Sequence, residues 1–148
     1  MADTNKLVDS LNQQVANWTV LYTKLHNFHW FVKGPHFFTL HEKFEELYNE
    51  AAENLDELAE RILQLEGKPL GTLKESLEKA TIKEAKGNED TNKMVQAIVN
   101  DFNTIIDESK DAISTAIESE DDTTADILLG IYKPLEKHVW MLNAFVSK

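Results

Sequence analysis

Histidines and carboxylates are concentrated in one stretch of this 148-residue chain, HNFHWFVKGPHFFTLHEKFE at residues 26–45. The stretch contains four of the five histidines in the chain. Imidazole nitrogen is the commonest metal ligand in proteins, and carboxylate oxygens complete many sites for iron and zinc. These residue types therefore indicate a metal site, provided that the helices of the chain can bring enough of them together.

Two pairs of candidate ligands lie on one face of the helix predicted over residues 39–66. With His41 placed at zero on a helical wheel, Glu45 falls at about 40°. On the same wheel Asp56 falls at about 60° and Glu60 at about 100°. The apolar stripe of this helix is centred some 120 to 130° away, so the candidate ligands point away from the core of their own bundle. That stripe consists of Leu40, Phe44, Ala51, Leu58 and Ile62.

The two pairs are too far apart to bind one ion within a single chain. Their midpoints are separated by roughly 22 Å along the helix axis, whereas metal–ligand bonds are about 2 Å long. If two copies crossed antiparallel near residue 50, His41 and Glu45 of one would face Asp56 and Glu60 of the other, and symmetry would create two sites. With His29 added, two nitrogens and three carboxylates would suit iron or zinc. Spacing alone leaves open that these are solvated side chains and an ordinary surface pair.

The periodicity of apolar residues predicts an all-α protein with a single domain over residues 1–148. The long connection between the second and third long helices would let them run parallel, as in a ferritin-like four-helix bundle, and it contains a short extra helix. We expect a capping box at Thr39 and Glu42, a C-cap at Gly67, and a kink or local break at Pro134. The predicted long helices span residues 4–32, 39–66, 90–118 and 123–146, and the short one spans 72–80.

Composition excludes several classes of protein. The chain has no cysteine, which excludes disulfides and thiolate metal sites. It shows neither a signal-peptide pattern nor an apolar run long enough to span a membrane, so we expect a soluble cytoplasmic protein. The formal net charge of −11 makes nucleic acid a poor partner and cations better ones.

A long, spaced motif runs through the chain and consists of His29-Trp30, Gly34, Phe38, His41-Glu42, Asp56, Ala59-Glu60-Arg61 and the run from Lys137 to Met141. On these residues the chain resembles the Dps family, the DNA-binding proteins from starved cells or mini-ferritins, in its Gram-positive form. The resemblance implies a hollow shell of twelve subunits with an iron-oxidising di-iron centre at each two-fold interface.

Carried over by position, the resemblance implies that His29, His41 and Glu45 of one subunit bind iron together with Asp56 and Glu60 of its neighbour. The family more usually has aspartate at the position of Glu45. The implied reaction is oxidation of Fe(II), preferably by hydrogen peroxide rather than O2, followed by storage of ferric mineral. Zinc could replace iron.

The resemblance also implies roles for other residues. Trp30 would pack over the centre or supply an electron to a trapped oxidant. Asp122 and Asp126 match acidic positions that line iron-entry pores on three-fold axes, although a favourable interaction with the helix dipole is an alternative for them. The remaining histidines, His26, His36 and His138, are expected in structural or surface roles.

Neither end of the sequence reads as a lysine-rich arm, so we do not expect direct DNA binding. A nucleoid-binding structural protein of the same fold remains the alternative function. A helical scaffold whose site binds zinc or nothing is a third interpretation.

Overall fold

Five helices form the regular structure of residues 2–147, the part of the chain that the computed structural model describes. Four are long, and the short one lies in the connection between the second and third long helices, as predicted. No strand occurs within residues 2–147, which confirms the all-α prediction. The helices are α1 (Ala2–Phe31), α2 (Phe37–Gln64), α3 (Leu73–Lys79), α4 (Thr91–Glu118) and α5 (Asp122–Val146).

The long helices pack as two hairpins around one apolar core. Helix α1 lies along α2, and α4 lies along α5, while α3 rests on α1. All five residues of the apolar stripe predicted for α2 are buried. The largest side chains that are completely buried are Trp18, Phe28, Phe44 and Phe102.

The long connection is held against the bundle by polar side chains of α1. The Asn17 carboxamide accepts a hydrogen bond from the backbone N–H of Thr81 at 2.8 Å and donates one to Glu108 of α4, also at 2.8 Å. The Lys24 ammonium donates to the carbonyl of Lys83 and lies 2.7 Å from Asp101. These contacts anchor the connection against the bundle. The connection therefore joins α2 to α4 while both helices pack in one core.

The two ends of α2 differ from the sequence predictions. The helix begins at Phe37 after His36, which makes no side-chain capping bond. Thr39 therefore lies inside the first turn, and the capping box predicted there is wrong.

The C-terminus of α2 is closed by Glu66 rather than by the glycine that follows it. Glu66 has a φ of 64°, and the N–H of Gly67 donates to the carbonyl of Ile62. This is the Schellman pattern, in which the left-handed residue precedes the last donor. Gly67 is needed for another reason, because a Cβ there would lie 2.9 Å from the Val8 side chain.

Helix α5 continues through Pro134 without a break, so of the kink or local break expected there only the kink stays a prediction. Proline lacks the N–H that would bond the carbonyl four residues earlier, which here belongs to Gly130. Both residues are exposed, so water can satisfy that carbonyl. Buried Ile131 and Leu135 hold the helix in the core on either side. None of the helices within residues 2–147 has the length and apolar character needed to cross a membrane.

Candidate metal centre

His29 and His41 hold each other in place through reciprocal hydrogen bonds. Nδ1 of His29 lies 2.6 Å from the carbonyl oxygen of His41, and Nδ1 of His41 lies 2.7 Å from the carbonyl oxygen of His29. The rings stack at 3.7 Å with an angle of 14° between their planes. Since a carbonyl only accepts, both Nδ1 atoms must carry the proton, and in the neutral rings both Nε2 atoms then keep a free lone pair.

The ends of the helices explain this arrangement. His29 lies in the last turn of α1, where backbone carbonyls have no partner within the helix. His41 comes one turn into α2, so a short connection returns its ring to that free carbonyl. Metal-binding histidines commonly donate their second ring N–H to such an acceptor, which fixes the orientation of the ring.

Glu45 is the third candidate ligand that this end of the hairpin brings to the histidines. One of its carboxylate oxygens lies 3.8 Å from Nε2 of His29. The ring of His29 is buried, whereas the Glu45 side chain is about half exposed. One buried histidine, one partly buried histidine and one half-exposed carboxylate therefore form an incomplete site that faces outward.

Asp56 and Glu60 do not join this group within one chain. Both are exposed farther along α2. This separation agrees with the axial distance expected from the sequence, and their assignment as ligands stays a prediction that depends on a second copy of the chain.

Two large apolar side chains lie on the same face of α2 as the candidate ligands. Phe38 is 83% exposed and Leu63 is 59% exposed. On the wheel that places His41 at zero, they fall at about 60° and about 40°. The sequence analysis named Phe38 only for the family resemblance and did not single out Leu63, although an apolar residue inside a polar stripe is a signal of an interface.

One antiparallel register would pair all of these residues. Phe38 and Leu63 are equidistant from the midpoint between residues 50 and 51. The same midpoint relates His41 to Glu60, and Glu45 to Asp56. A two-fold axis there would place the apolar residues against each other at the ends of the contact and the ligand pairs inside them.

Tyr48 was not expected from the sequence, yet it contacts the candidate centre. Its ring stacks on His26 at 3.7 Å and meets His29 edge-on at 5.3 Å. Desolvation raises the pKa of the Tyr48 hydroxyl, and the charge of Glu45 raises it further. Tyr48 follows Glu45 by three residues on α2, a spacing that could have indicated proximity.

Trp30 is exposed and contacts the ring of His26. Its side chain is 64% exposed, and its ring pairs with that of His26 at 5.4 Å. Within one chain it reaches the centre through His26 and Tyr48. Its catalytic role stays a prediction.

Three carboxylates lie near the start of α5. One is bonded to α2, and the other two are the carboxylates predicted to line the pore. Asp121 caps α5 and lies 3.0 Å from the Arg61 guanidinium of α2. Desolvation alone would raise the pKa of Asp121, but bonds from Thr124 and Arg61 outweigh it and hold the pKa below its ordinary value. Asp122 and Asp126 are exposed. The pore assignment stays a prediction.

A second cluster of ligand types lies between α2 and α5. Glu46, Glu50 and His138 each offer one ligand atom, and these atoms all lie within 4.8 Å of one another. His138 Nε2 is 3.1 Å from both carboxylate oxygens of Glu50. A hydrogen-bonded histidine was expected at position 138, but its place beside two carboxylates was not.

Comparison with known proteins identifies the family. Residues 8–148 match the ferritin-like domain. General stress protein 20U of Bacillus subtilis is 57% identical over 144 residues, which cover 97% of this chain and 99% of that protein. A crystal structure of a Dps protein from Bacillus brevis superposes with a TM-score of 0.98 at 55% identity, covering 99% of each chain. The chain belongs to the Dps family of ferritin-like proteins.

A more distant Dps structure links the fold to a superfamily of diiron-carboxylate proteins. The Dps protein from Vibrio cholerae matches with a TM-score of 0.95 at 36% identity, covering 99% of this chain and 92% of that one. It is described as a member of a broad superfamily of ferritin-like diiron-carboxylate proteins. Membership of the Dps family confirms both the resemblance and the ferritin-like fold predicted from the sequence.

Proposed function

We propose that the chain is a ferroxidase and iron-storing mini-ferritin of the cytoplasm. It oxidises Fe(II), preferably with hydrogen peroxide, at a di-iron centre shared by two subunits, and it stores ferric mineral inside a dodecameric shell. The observation that carries the proposal is the histidine pair with both Nε2 atoms free beside Glu45. Asp56 and Glu60 stand in symmetric register on the same face of α2.

The donor set fits iron. Imidazole nitrogen binds Fe(II), while hard anionic carboxylates favour Fe(III), so the same set accepts the substrate ion and stabilises its product. Zinc suits these donors equally well but cannot change its charge, and it would therefore act as an inhibitor. Because the Nδ1 protons are bound to carbonyls, both rings are oriented before metal arrives.

Holding two ferrous ions together determines the course of the oxidation. The pair gives two electrons to one peroxide, its O–O bond breaks, and two water molecules leave after two protons are taken up. A single ferrous ion would supply only one electron and release a hydroxyl radical. The paired centre therefore removes both reactants that generate oxidative damage.

Protection of DNA then needs no contact with DNA. Relatives from Bacillus anthracis and Brevibacillus brevis are named DNA protection during starvation proteins. A net charge of −11 per chain opposes attraction to a phosphate backbone. Nucleoid binding would appear as a gel shift at low salt, where electrostatic binding is strongest, and we expect none there.

The first experiment is anaerobic loading with Fe(II) followed by addition of peroxide. The native protein should consume one peroxide for every two irons. Asp56→Ala should slow oxidation by about 100-fold or more, since it removes a direct ligand. Glu57→Ala, an exposed neighbour on α2, is the matched control and should behave as native. Equal, buffer-like rates in all three proteins would refute the proposal.

Mixed assembly tests whether the centre is shared. One variant chain carries Asp56→Ala and Glu60→Ala, and a second carries His29→Ala and His41→Ala. Each variant should be inactive alone. Unfolded and reassembled together, they form mixed pairs in which one of two centres is complete, so about a quarter of the native activity should return. No recovery in correctly assembled mixtures would contradict a shared centre.

A further inference from the structure

The cluster of Glu46, Glu50 and His138 lies outside the proposed ferroxidase centre. On the same wheel of α2, Glu46 and Glu50 fall at about 140° and about 180°, roughly 110° around the helix from the ferroxidase ligands. A partner crossing over those ligands would leave this side of α2 uncovered. All three side chains belong to one chain, so their arrangement does not depend on symmetry.

His138 is a buried histidine with no hydrogen-bond partner outside the cluster. The residue is 8% exposed, and its Nε2 points at the Glu50 carboxylate. Its Nδ1 is buried without a hydrogen-bond partner. A buried polar atom without a partner destabilises the fold, so packing does not explain why this imidazole is kept at the rim of the core.

The two carboxylates complete a set of three ligand side chains that differ in their exposure to solvent. Glu50 is partly buried and Glu46 is exposed, so an ion held here could keep water on its open side. The separation of 3.1 Å between Nε2 and the Glu50 oxygens is typical of neighbouring ligands that share one metal ion. One nitrogen and two carboxylates suit a divalent cation of intermediate softness, such as Zn(II) or Fe(II).

We propose that Glu46, Glu50 and His138 form a second divalent-cation site, which each chain holds by itself. The partly buried Lys43 side chain, whose ammonium lies 3.3 Å from Glu46, would have to give way. The unpaired Nδ1 means that no second-shell acceptor orients this ring. The site therefore binds its ion less tightly than the locked pair His29 and His41.

Zinc binding to the assembled, metal-free protein tests this proposal without any measurement of oxidation. The background carries Asp56→Ala and Glu60→Ala, which weaken the ferroxidase centre. Glu46→Gln should then weaken the remaining Zn(II) binding by about 10-fold or more in equilibrium dialysis. Glu53→Gln, an exposed residue of the same helix, is the matched control and should leave it unchanged. Glu46 bonds only to Lys43, so its substitution should not disturb folding.

The position of the bound ion distinguishes a specific site from a general weakening of zinc binding that follows the loss of a negative charge. Crystals of the same background equilibrated with Zn(II) should show an anomalous peak between Glu50 and His138, and the peak should disappear in His138→Gln. Zinc binding that is unaffected by Glu46→Gln, or crystals without a peak there, would overturn the proposal. Either result leaves the ferroxidase proposal standing, because the two centres share no residue.

Discussion

The two histidine–carboxylate groups of this molecule differ in how many of their ligands a single chain supplies. At the end of α1, the pair His29 and His41 is fully oriented by backbone carbonyls, yet it lacks most of its carboxylates. Between α2 and α5, His138 has two carboxylates beside it but an unpaired Nδ1. The first group is pre-organised and incomplete, whereas the second is complete and not pre-organised.

This difference separates a reactive centre from a binding site. Oxidation of two ions by one peroxide requires ligands held in fixed geometry, and reciprocal hydrogen bonds supply it. If a partner supplies the last ligands, the chemistry is coupled to assembly, and we expect an isolated chain not to oxidise iron. A site that only binds an ion tolerates a loosely held ring.

The largest expected effect comes from breaking the reciprocal pair. His29→Ala or His41→Ala should each slow peroxide-driven oxidation by about 100-fold or more, because each removes one ligand and the ring that stacks on the other. Groups that act as one unit give non-additive losses. The double variant should therefore lose little more than either single variant, measured by stopped-flow absorbance of ferric iron. Multiplicative losses would show that the two rings act independently.

A smaller effect is expected from the apolar ends of the proposed interface. Phe38→Glu would place a carboxylate against the apolar side chain of the partner's Leu63, and we expect self-association to weaken by about 30-fold, or roughly 2 kcal/mol. Sedimentation would detect the smaller species, and oxidation should fall with it. Leu77→Glu on α3 adds the same charge at another exposed apolar residue and serves as the control. Native assembly of Phe38→Glu would place the interface elsewhere.

Tyr48 tests how much the surroundings of the pair contribute. Its ring meets His29 edge-on, so Tyr48→Ala should loosen that ring and slow oxidation by about 10-fold. Tyr48→Phe keeps the ring and should restore most of the rate, which identifies Tyr48 as a positioning residue. If Tyr48→Phe were as slow as Tyr48→Ala, the hydroxyl rather than the ring would be required.

The sequence predicted the helices and the buried face of α2 because both depend on the helical period. The stripe of α2 repeats at the helical spacing, and each of its residues is buried as expected. The features that the sequence could not predict depend on contacts between segments that are far apart along the chain. The pairing of His138 with Glu50 joins residues 88 positions apart, and the need for glycine at position 67 depends on where α1 passes.

The smallest expected effect concerns the far end of α2, where Arg61, next to the predicted ligand Glu60, is tied to Asp121 of α5. The folded pKa of Asp121 lies below its ordinary value of 3.8, so its ionised form stabilises the folded state above that pH. This stabilisation is lost as pH falls through the lower, folded pKa. Asp121→Asn keeps a capping side chain but removes the charge, and we expect it to destabilise the protein by about 1 to 2 kcal/mol near neutral pH.

The difference in urea stability between native protein and Asp121→Asn should therefore close as the solution is acidified below pH 3.8. A gap that stayed constant through that range would mean that the charge of Asp121 does not hold the end of α2. In that case Glu60 must depend on the partner subunit alone for its position, and the incomplete half of the ferroxidase centre would be ordered only on assembly. A gap that closes would instead show that each chain prepares both halves before they meet.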